Sequence, residues 1–285
     1  MSTQVDAKIA NLEYMPVIEV AERPGVGLDG QPRPTEDVVI ALPNAVILLD
    51  GATSLRPELL PGGWYAHRLA GELAGRLTGY PDADLADLLA ASIKVVARNH
   101  GLEPGESPSS TVALLRWNDR LVEGLVLADS PIVAFTPEPQ VLADSRMGRL
   151  PRGAYRDRLS AGDGFGEDHL VALRSSADRV GRLRNQEGGF WVAEAEPDAA
   201  YYAERATWPR SEVRAALLAS DGVSCGVDAY GIFDDWSAVL ELARREDAEA
   251  VLDAVREAET SDPHGTRWPR SKPHDDQALA VVTFD

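Results

Sequence analysis

The sequence predicts an α+β protein in which antiparallel sheets are covered by helices. Two pairs of short apolar runs, each pair joined by a tight turn, predict β-hairpins within residues 38–49 and 112–128. Helical periodicities come in pairs and do not alternate with single strands, as they would in a parallel βαβ protein. No linker divides the chain, so a single domain over residues 1–285 is predicted, with a flap-like insertion at about residues 136–190.

The first hairpin is predicted from apolar runs at residues 38–42 and 45–49, which flank the turn formers Pro43 and Asn44. After it, leucines at every fourth position predict a helix over residues 63–77. An Asp-Gly pair directly follows the second run. An acidic side chain is therefore expected where this strand ends.

A second helix and a second hairpin follow. Apolar residues at helical spacing predict a helix over residues 85–96, and Asp84 before them is a candidate N-cap. Residues 101–110 are rich in Gly, Pro and Ser, which is typical of a loop. The runs at residues 112–117 and 121–128 flank an Asn-Asp turn and predict the hairpin.

The rest of the chain combines an irregular insertion with two helices between two strands. Residues 136–190 are rich in Gly, Arg and Asp and have weak periodicity. In a compact domain such a segment is more often functional or mobile than structural. Residues 215–220 and 278–284 predict strands, and residues 234–244 and 248–258 between them predict helices.

Charge and cysteine content limit the partners and the compartment. The chain has 46 acidic and 28 basic residues and a formal net charge of −18, so its surface is expected to repel nucleic acid and anionic membranes. Uninterrupted aliphatic runs, such as residues 45–49, are too short to span a membrane, and the N-terminus shows no secretion signal. The single Cys225 excludes an internal disulfide and a cysteine-based zinc cluster. These features predict a cytoplasmic protein.

Acidic side chains stand beside the ends of the predicted strands. Aspartate is a poor strand residue and a common turn former, so any one of them alone would be assigned to a turn. Five such sites are more than turn chemistry explains. Two of them are Asp-Gly pairs, where glycine lets the backbone approach a ligand and its carbonyl can donate an oxygen. The acidic sites are Glu36-Asp37, Asp50, Asp129, Asp221 and Asp275.

These sites and their neighbours resemble the motifs of a known family. An all-oxygen set of carboxylates, a carbonyl and waters selects Mg²⁺ or Mn²⁺ over zinc. The fragments are similar, in order and spacing, to those of bacterial metal-dependent protein phosphatases of the PPM, or type 2C, family. The likeness covers nearly the whole chain. The fragments are Thr35-Glu36-Asp37, Leu49-Asp50-Gly51, Ser109-Ser110-Thr111, Ala128-Asp129-Ser130, LASDG at residues 218–222 and DDQA at residues 275–278.

The resemblance implies a four-layer α-β-β-α sandwich with a dinuclear Mg²⁺ or Mn²⁺ site, and a possible third ion, in a cleft at one end. Asp50 would bridge the two principal ions, and Asp37 would orient water from outside the ligand set. The paired ions would activate water for attack on phosphorus without a phosphoenzyme. Besides Asp50, the implied ligands are Glu36 and the Gly51 carbonyl on one ion, Asp221 and Asp275 on the other, and Asp129 on the third.

One departure from the family concerns the proton donor. In many members a histidine follows the Asp-Gly and is a candidate to protonate the leaving group, but Ala52 occupies this position here. His274, adjacent to Asp275, is the candidate substitute. A lone histidine in a polar loop is also a common solvated surface residue.

Two arginines are candidates for binding the substrate. The family's phosphate-binding arginine lies about four residues before the first metal-binding glutamate, whereas Arg33 lies three before Glu36. Arg33 is therefore either that residue on a shifted loop or an ordinary exposed arginine. Arg270 lies in the basic segment 267–274, which either captures the substrate's phosphate or acidic flanks, or balances neighbouring acids.

The resemblance implies a phosphomonoester hydrolase, most often a serine/threonine protein phosphatase acting on phosphoproteins. Nothing in the residues selects a phosphoprotein over a small phosphomonoester. A catalytically weak or inactive phosphatase-like protein with a regulatory or binding role is the alternative from another class. The retained acidic positions argue against this alternative, and Ala52 keeps it open.

Overall fold

Two five-stranded antiparallel sheets lie face to face in the computed structural model, which describes residues 15–56, 58–150 and 153–284. One sheet has the order β1-β10-β9-β6-β7 and the other β2-β3-β4-β5-β8. The strands are β1 (Val17–Arg23), β2 (Asp37–Leu42), β3 (Ala45–Asp50), β4 (Val112–Trp117), β5 (Leu121–Leu127), β6 (Ile132–Phe135), β7 (Pro139–Leu142), β8 (Glu204–Pro209), β9 (Ala215–Ala219) and β10 (Gln277–Thr283).

Helices cover the outer face of each sheet. Helices α1 and α2 pack on the β2-β3-β4-β5-β8 sheet, and α5, α6 and α7 pack on the other. The helices are α1 (Gly62–Gly79), α2 (Leu85–His100), α3 (Ala154–Ser160), α4 (Glu167–Gly181), α5 (Asp221–Asp228), α6 (Trp236–Arg245) and α7 (Ala248–Ser261). These layers confirm the predicted α-β-β-α sandwich. No helix within the described ranges is both long and apolar enough to cross a membrane.

The inner faces of the two sheets form one apolar core, and alternation along each strand decides which side chains enter it. In β3, Val46 and Leu48 point inward, whereas Ile47 and Leu49 pack against α1 and α2. The facing sheet presents mostly small side chains to this core. They include Ala134, Ala216, Ala278 and Ala280, all fully buried.

Both predicted hairpins are present. Strands β2 and β3 pair from Asp37 opposite Asp50 to Leu42 opposite Ala45, and β4 pairs with β5. The predicted N-cap is present as well, because the Asp84 side chain accepts hydrogen bonds from the first turn of α2.

Strands β1 and β8 are absent from the sequence prediction. Both lie at sheet edges and are largely solvent-exposed. Charged residues interrupt the apolar residues of β1, and β8 begins with two charged residues, so neither strand shows an uninterrupted apolar run.

The insertion at residues 136–190 is more regular than its sequence suggests. Its beginning forms β7, which pairs with β6 and completes a sheet. Helices α3 and α4 follow, and both are short or largely polar, which explains the weak periodicity. The single-domain boundary and the flap role stay predictions.

Candidate metal centre

The predicted acidic side chains converge at one end of the sandwich, and both sheets contribute. Asp37 begins β2 and lies opposite Asp50, which ends β3 in the same sheet. Asp221 follows β9 and opens α5, and Asp275 precedes β10 in the other sheet. Asp129 lies in the crossing between β5 and β6, which joins the sheets. Strand ends that are remote in sequence therefore supply one cleft.

Asp37 is the least satisfied polar group in this cleft. The residue is 1% exposed, and neither carboxylate oxygen has a hydrogen-bond partner. Burial, followed by repulsion from Asp276 and Asp275, raises the pKa of Asp37 to about 7. Ser220 and Asp50 lie close enough to oppose this shift, but neither makes a hydrogen bond of good geometry.

The carboxylates around Asp37 also favour their neutral forms. Burial, and then repulsion from Asp37, Asp221 and other acids, raises the pKa of Asp50 well above its usual range. The pKa of Asp221 rises for the same reasons, with Asp275 its strongest neighbour and Lys272 opposing the shift. Burial raises the pKa of Asp129 too. Added positive charge would relieve this mutual repulsion.

Two glycines let the backbone close around the acids. A Cβ at Gly51 would lie 2.4 Å from the carbonyl carbon of Gly62, and one at Gly222 would lie 1.9 Å from the Asp276 carbonyl oxygen. Gly51 also donates its N–H to the Glu36 carbonyl oxygen at 3.1 Å. No residue with a side chain fits at either position without displacing the backbone.

Glu36 is held by groups of the chain itself. Its Oε1 accepts the Gly63 N–H at the start of α1 (3.4 Å), and its Oε2 accepts the Thr53 hydroxyl (2.6 Å). The Arg33 guanidinium pairs with the same Oε2. These contacts fix the orientation of the Glu36 carboxylate, which borders a separate pocket beside Arg33 and Gly63 and neither lobe of the cleft.

Arg33 lies inside this network and is not an ordinary exposed arginine. Its side chain is 19% exposed, and its guanidinium contacts Glu36 and Asp276. It also donates to Thr53 Oγ1 at 3.1 Å and to the Val26 carbonyl oxygen at 3.3 Å. These contacts place the guanidinium beside the acids. To bind a phosphate as predicted, Arg33 would have to use N–H groups that already donate to other residues.

The donor set fits a hard divalent cation. Its atoms are carboxylate oxygens, and Asp37 offers two buried oxygens that nothing else satisfies. Within the part of the chain that the structure describes, no three His, Cys, Asp or Glu side chains already stand in a geometry that could hold an ion. Arg33 pairs with Glu36 there, and Lys272 pairs with Asp275.

The cleft has two lobes that share a wall formed by Asp129, Asp221 and Asp275. The smaller lobe, about 290 Å³, also contains Asp50 and is covered by apolar residues of α4. The larger lobe, about 810 Å³, is bordered by Tyr155, Arg156, Tyr230 and Arg270. The insertion therefore covers the acids on one side and borders an open space on the other.

Arg270, predicted to bind substrate, is instead committed to the fold of its own loop. The residue is 8% exposed, and its Nη1 lies 3.0 Å from an Asp262 carboxylate oxygen. It also donates to the carbonyl oxygens of Glu259, Trp268 and Pro273. A guanidinium with this many protein partners has little capacity left for a phosphate.

We expect Arg270→Lys to lower the free energy of unfolding by about 2 kcal/mol, because an ammonium cannot reproduce the planar fork of bonds. Urea unfolding measures this, with Arg245→Lys as the control, since the Arg245 side chain is 65% exposed. If Arg270→Lys instead raised KM tenfold or more and left the stability unchanged, Arg270 would be a substrate-binding residue.

His274, the candidate proton donor, points to another partner. Its Nδ1 lies 3.0 Å from Glu259 Oε2, and the Glu259 carboxylate is fully buried in α7. Glu259 and Asp275 border the larger lobe, whereas His274 borders neither lobe. The imidazole is therefore engaged by Glu259, and this contact does not favour proton transfer to a leaving group.

Lys272, Thr53 and Asp276 are the residues that the sequence prediction missed. Lys272 Nζ lies 2.8 Å from Asp275 Oδ1 and 3.2 Å from Asp276 Oδ2. Thr53 Oγ1 accepts from both Arg33 and Lys272. The signal for Lys272 was its place in the basic segment 267–274, from which only Arg270 was assigned to the substrate.

Solved structures with this architecture are similar to nearly the whole chain. The PPM Ser-Thr phosphatase MsPP from Mycobacterium smegmatis is 15% identical (TM-score 0.56; 95% of this chain, 99% of that one). The PstP catalytic domain with two manganese ions is 16% identical (0.55; 95% and 99%), and Stp1 from Staphylococcus aureus is 11% identical (0.56; 95% and 96%). No protein-family model matches the sequence, and neither does any curated protein. The chain has the PPM phosphatase fold.

Proposed function

We propose that this chain is a metal-dependent phosphomonoester hydrolase, and specifically a serine/threonine protein phosphatase that uses Mg²⁺ or Mn²⁺. The observation that carries the proposal is Asp37, a buried carboxylate with two unpaired oxygens among acids whose pKa values are raised. Such a cluster is stable in its charged form only with a cation. The fold shared with known PPM phosphatases supports phosphate chemistry for that cation.

In this proposal the carboxylates at the strand ends hold two ions, with a possible third. When bound, the ions would activate water and neutralise charge on the phosphoryl oxygens. Asp50 lies opposite Asp37 in the same sheet, and Asp37 would orient water through its free oxygens. The proposed ligands are Glu36, Gly51 and Asp50 for one ion, Asp50, Asp221 and Asp275 for the other, and Asp129 for the third.

The chain's own residues give the site its shape and limit water access. Leu173 and Val180 of α4 cover the smaller lobe beside Asp50. Arg33 and Thr53 fix Glu36 in place. The larger lobe opens beside Asp221 and Asp275, and its size suits an extended substrate such as a phosphopeptide.

The test is hydrolysis of p-nitrophenyl phosphate and of a phosphothreonine peptide, each with Mn²⁺, Mg²⁺ or EDTA. We expect turnover of both substrates with metal and none with EDTA. Turnover that persists in EDTA would contradict metal dependence. Turnover of the aryl phosphate alone would favour a small-molecule phosphatase.

A second candidate function is phosphate-dependent binding without turnover. It is favoured by Ala52 at the position of the family's histidine and by Arg33 and Lys272, which already pair with Glu36 and Asp275. Phosphopeptide binding in calorimetry, combined with no turnover in any metal, would select this candidate.

We expect turnover to depend strongly on the leaving group, because Ala52 removes one proton donor and His274 pairs with Glu259. Aryl phosphates should exceed alkyl phosphates in kcat/KM by about 10²-fold or more. His274→Ala should change both classes by less than about threefold. A loss of about 10²-fold confined to alkyl phosphates would make His274 the general acid.

The cytoplasmic location belongs to the same proposal. Cys225 is unpaired, and burial raises the pKa of its thiol well above the usual value. A buried protonated thiol is unreactive and compatible with a reducing compartment.

A further inference from the structure

Lys272 occupies an unusual position for a lysine. Its side chain is 4% exposed, and its ammonium lies within reach of three acceptors: Asp275 Oδ1 (2.8 Å), Asp276 Oδ2 (3.2 Å) and Thr53 Oγ1 (3.2 Å). An ammonium has three N–H donors, so these acceptors can satisfy it completely. Burial alone would lower the pKa of Lys272, but attraction to Asp275 and Asp276 outweighs it, and the group stays charged.

The loop that carries Lys272 is anchored from two sides. Arg270 ties it to Asp262 and to the end of α7. On the other side, His169 Nε2 of α4 lies 2.7 Å from the Ser271 carbonyl oxygen. The fold thus fixes the position of Lys272, and its contact with Asp275 is not the chance pairing of a mobile surface lysine.

Lys272 and the proposed metal ion use the same carboxylate. Asp275 and Asp221 are the side chains proposed for the second ion, and both border the smaller lobe together with Lys272. A divalent ion on Asp275 and an ammonium 2.8 Å from the same carboxylate repel each other at short range. Either the ion binds weakly or the ammonium moves toward Asp276.

We propose that Lys272 is a built-in counter-ion that competes with the metal ion on Asp221 and Asp275. The wild-type chain then binds one divalent ion tightly, through Asp50, and fills the second position only at high metal concentration. This inference rests on the proposed function, because it assumes the metal centre. It adds that one of the two positions is controlled by a residue of the chain itself.

The experiment titrates the metal-free chain with Mn²⁺ and follows free Mn²⁺ by electron paramagnetic resonance. The variants are Lys272→Gln, which removes the charge, and Lys272→Arg, which keeps it. Lys94→Gln is the matched control, since Lys94 is exposed on α2. We expect one tight ion in wild type, Lys272→Arg and Lys94→Gln, and two in Lys272→Gln. The second dissociation constant should fall at least tenfold in Lys272→Gln.

A second measurement uses only the wild-type chain, so a folding defect in the variants cannot affect its result. Acetylation by acetic anhydride, read by mass spectrometry, should be slow at Lys272 without metal and faster at saturating Mn²⁺, when the ammonium is displaced. Acetylation at Lys94 should be the same in both conditions. Unchanged protection of Lys272 at saturating Mn²⁺ would overturn the proposal.

The outcomes separate this inference from the proposed function. Two equally tight ions in wild type and in Lys272→Gln would overturn the counter-ion role and leave the metal centre intact. No Mn²⁺ binding by any chain would overturn the metal centre itself, and the inference with it.

Discussion

Asp50→Asn and Asp221→Asn should each lower metal-dependent hydrolysis of p-nitrophenyl phosphate by roughly 10³-fold, equivalent to about 4 kcal/mol of transition-state stabilisation. Each change removes a charged oxygen from the shared ion site but leaves a side chain of nearly the same shape. Neither residue belongs to the apolar core, so the fold should persist. Initial rates at saturating Mn²⁺ and circular dichroism measure the two effects.

The control is Asp119→Asn, since Asp119 is an exposed residue in the turn between β4 and β5. Its rate should match wild type. The metal-free Asp50→Asn chain should also unfold at a higher temperature than metal-free wild type, because the substitution removes one of the mutually repelling charges. Wild-type rates in Asp50→Asn or Asp221→Asn would refute the site.

The metal-free chain should be more stable in mild acid than in mild base. The folded pKa of Asp37 is about 7, above the usual value of 3.8, so between these values the folded chain holds a proton that the unfolded chain has released. Stability from this group is full below about pH 4 and is lost as pH rises through about 7. Asp50, Asp129 and Asp221 shift in the same direction.

In EDTA, the melting temperature should be about 5 °C higher near pH 5.5 than near pH 8. Asp37→Asn should reduce this difference, and Asp119→Asn should not. Saturating Mn²⁺ should reverse the trend, since metal binds the deprotonated carboxylates and stabilises the chain more at the higher pH. A metal-free chain whose melting temperature rises steadily from pH 5.5 to 8 would contradict the repulsion among these acids.

The sequence predicts the hairpins and most helices of this fold well, but it misses the edge strands and the short interior strand β6. Hairpins and amphipathic helices bury one regular set of side chains, so their periodicity is visible in the residues, as in β2-β3 and α2. Strands β1 and β8 are defined by a neighbouring strand that lies far away in sequence. That pairing is a tertiary contact, which no local pattern contains.

For the site, the sequence identifies the acids but not their counter-charges. Asp50, Asp129 and Asp221 stand out because acidic residues recur beside the ends of several predicted strands. Which basic side chain contacts these acids depends on the conformation of the loop that carries it. In this structure Arg270 bonds to Asp262, whereas Lys272 pairs with Asp275. Two basic residues two positions apart in one loop thus have different roles, and their spacing does not distinguish them.

The small side chains between the sheets also influence which ion fits. Asp50 belongs to one sheet and Asp221 to the other, so the separation of the sheets sets the width of the space between their carboxylates. Ala216 and Ala280 are small side chains packed in the core between the sheets. Mg²⁺ needs oxygens at about 2.0–2.1 Å and Ca²⁺ at about 2.3–2.6 Å. Residues in the apolar core, remote from solvent and charge, would therefore influence which ionic radius the site accepts.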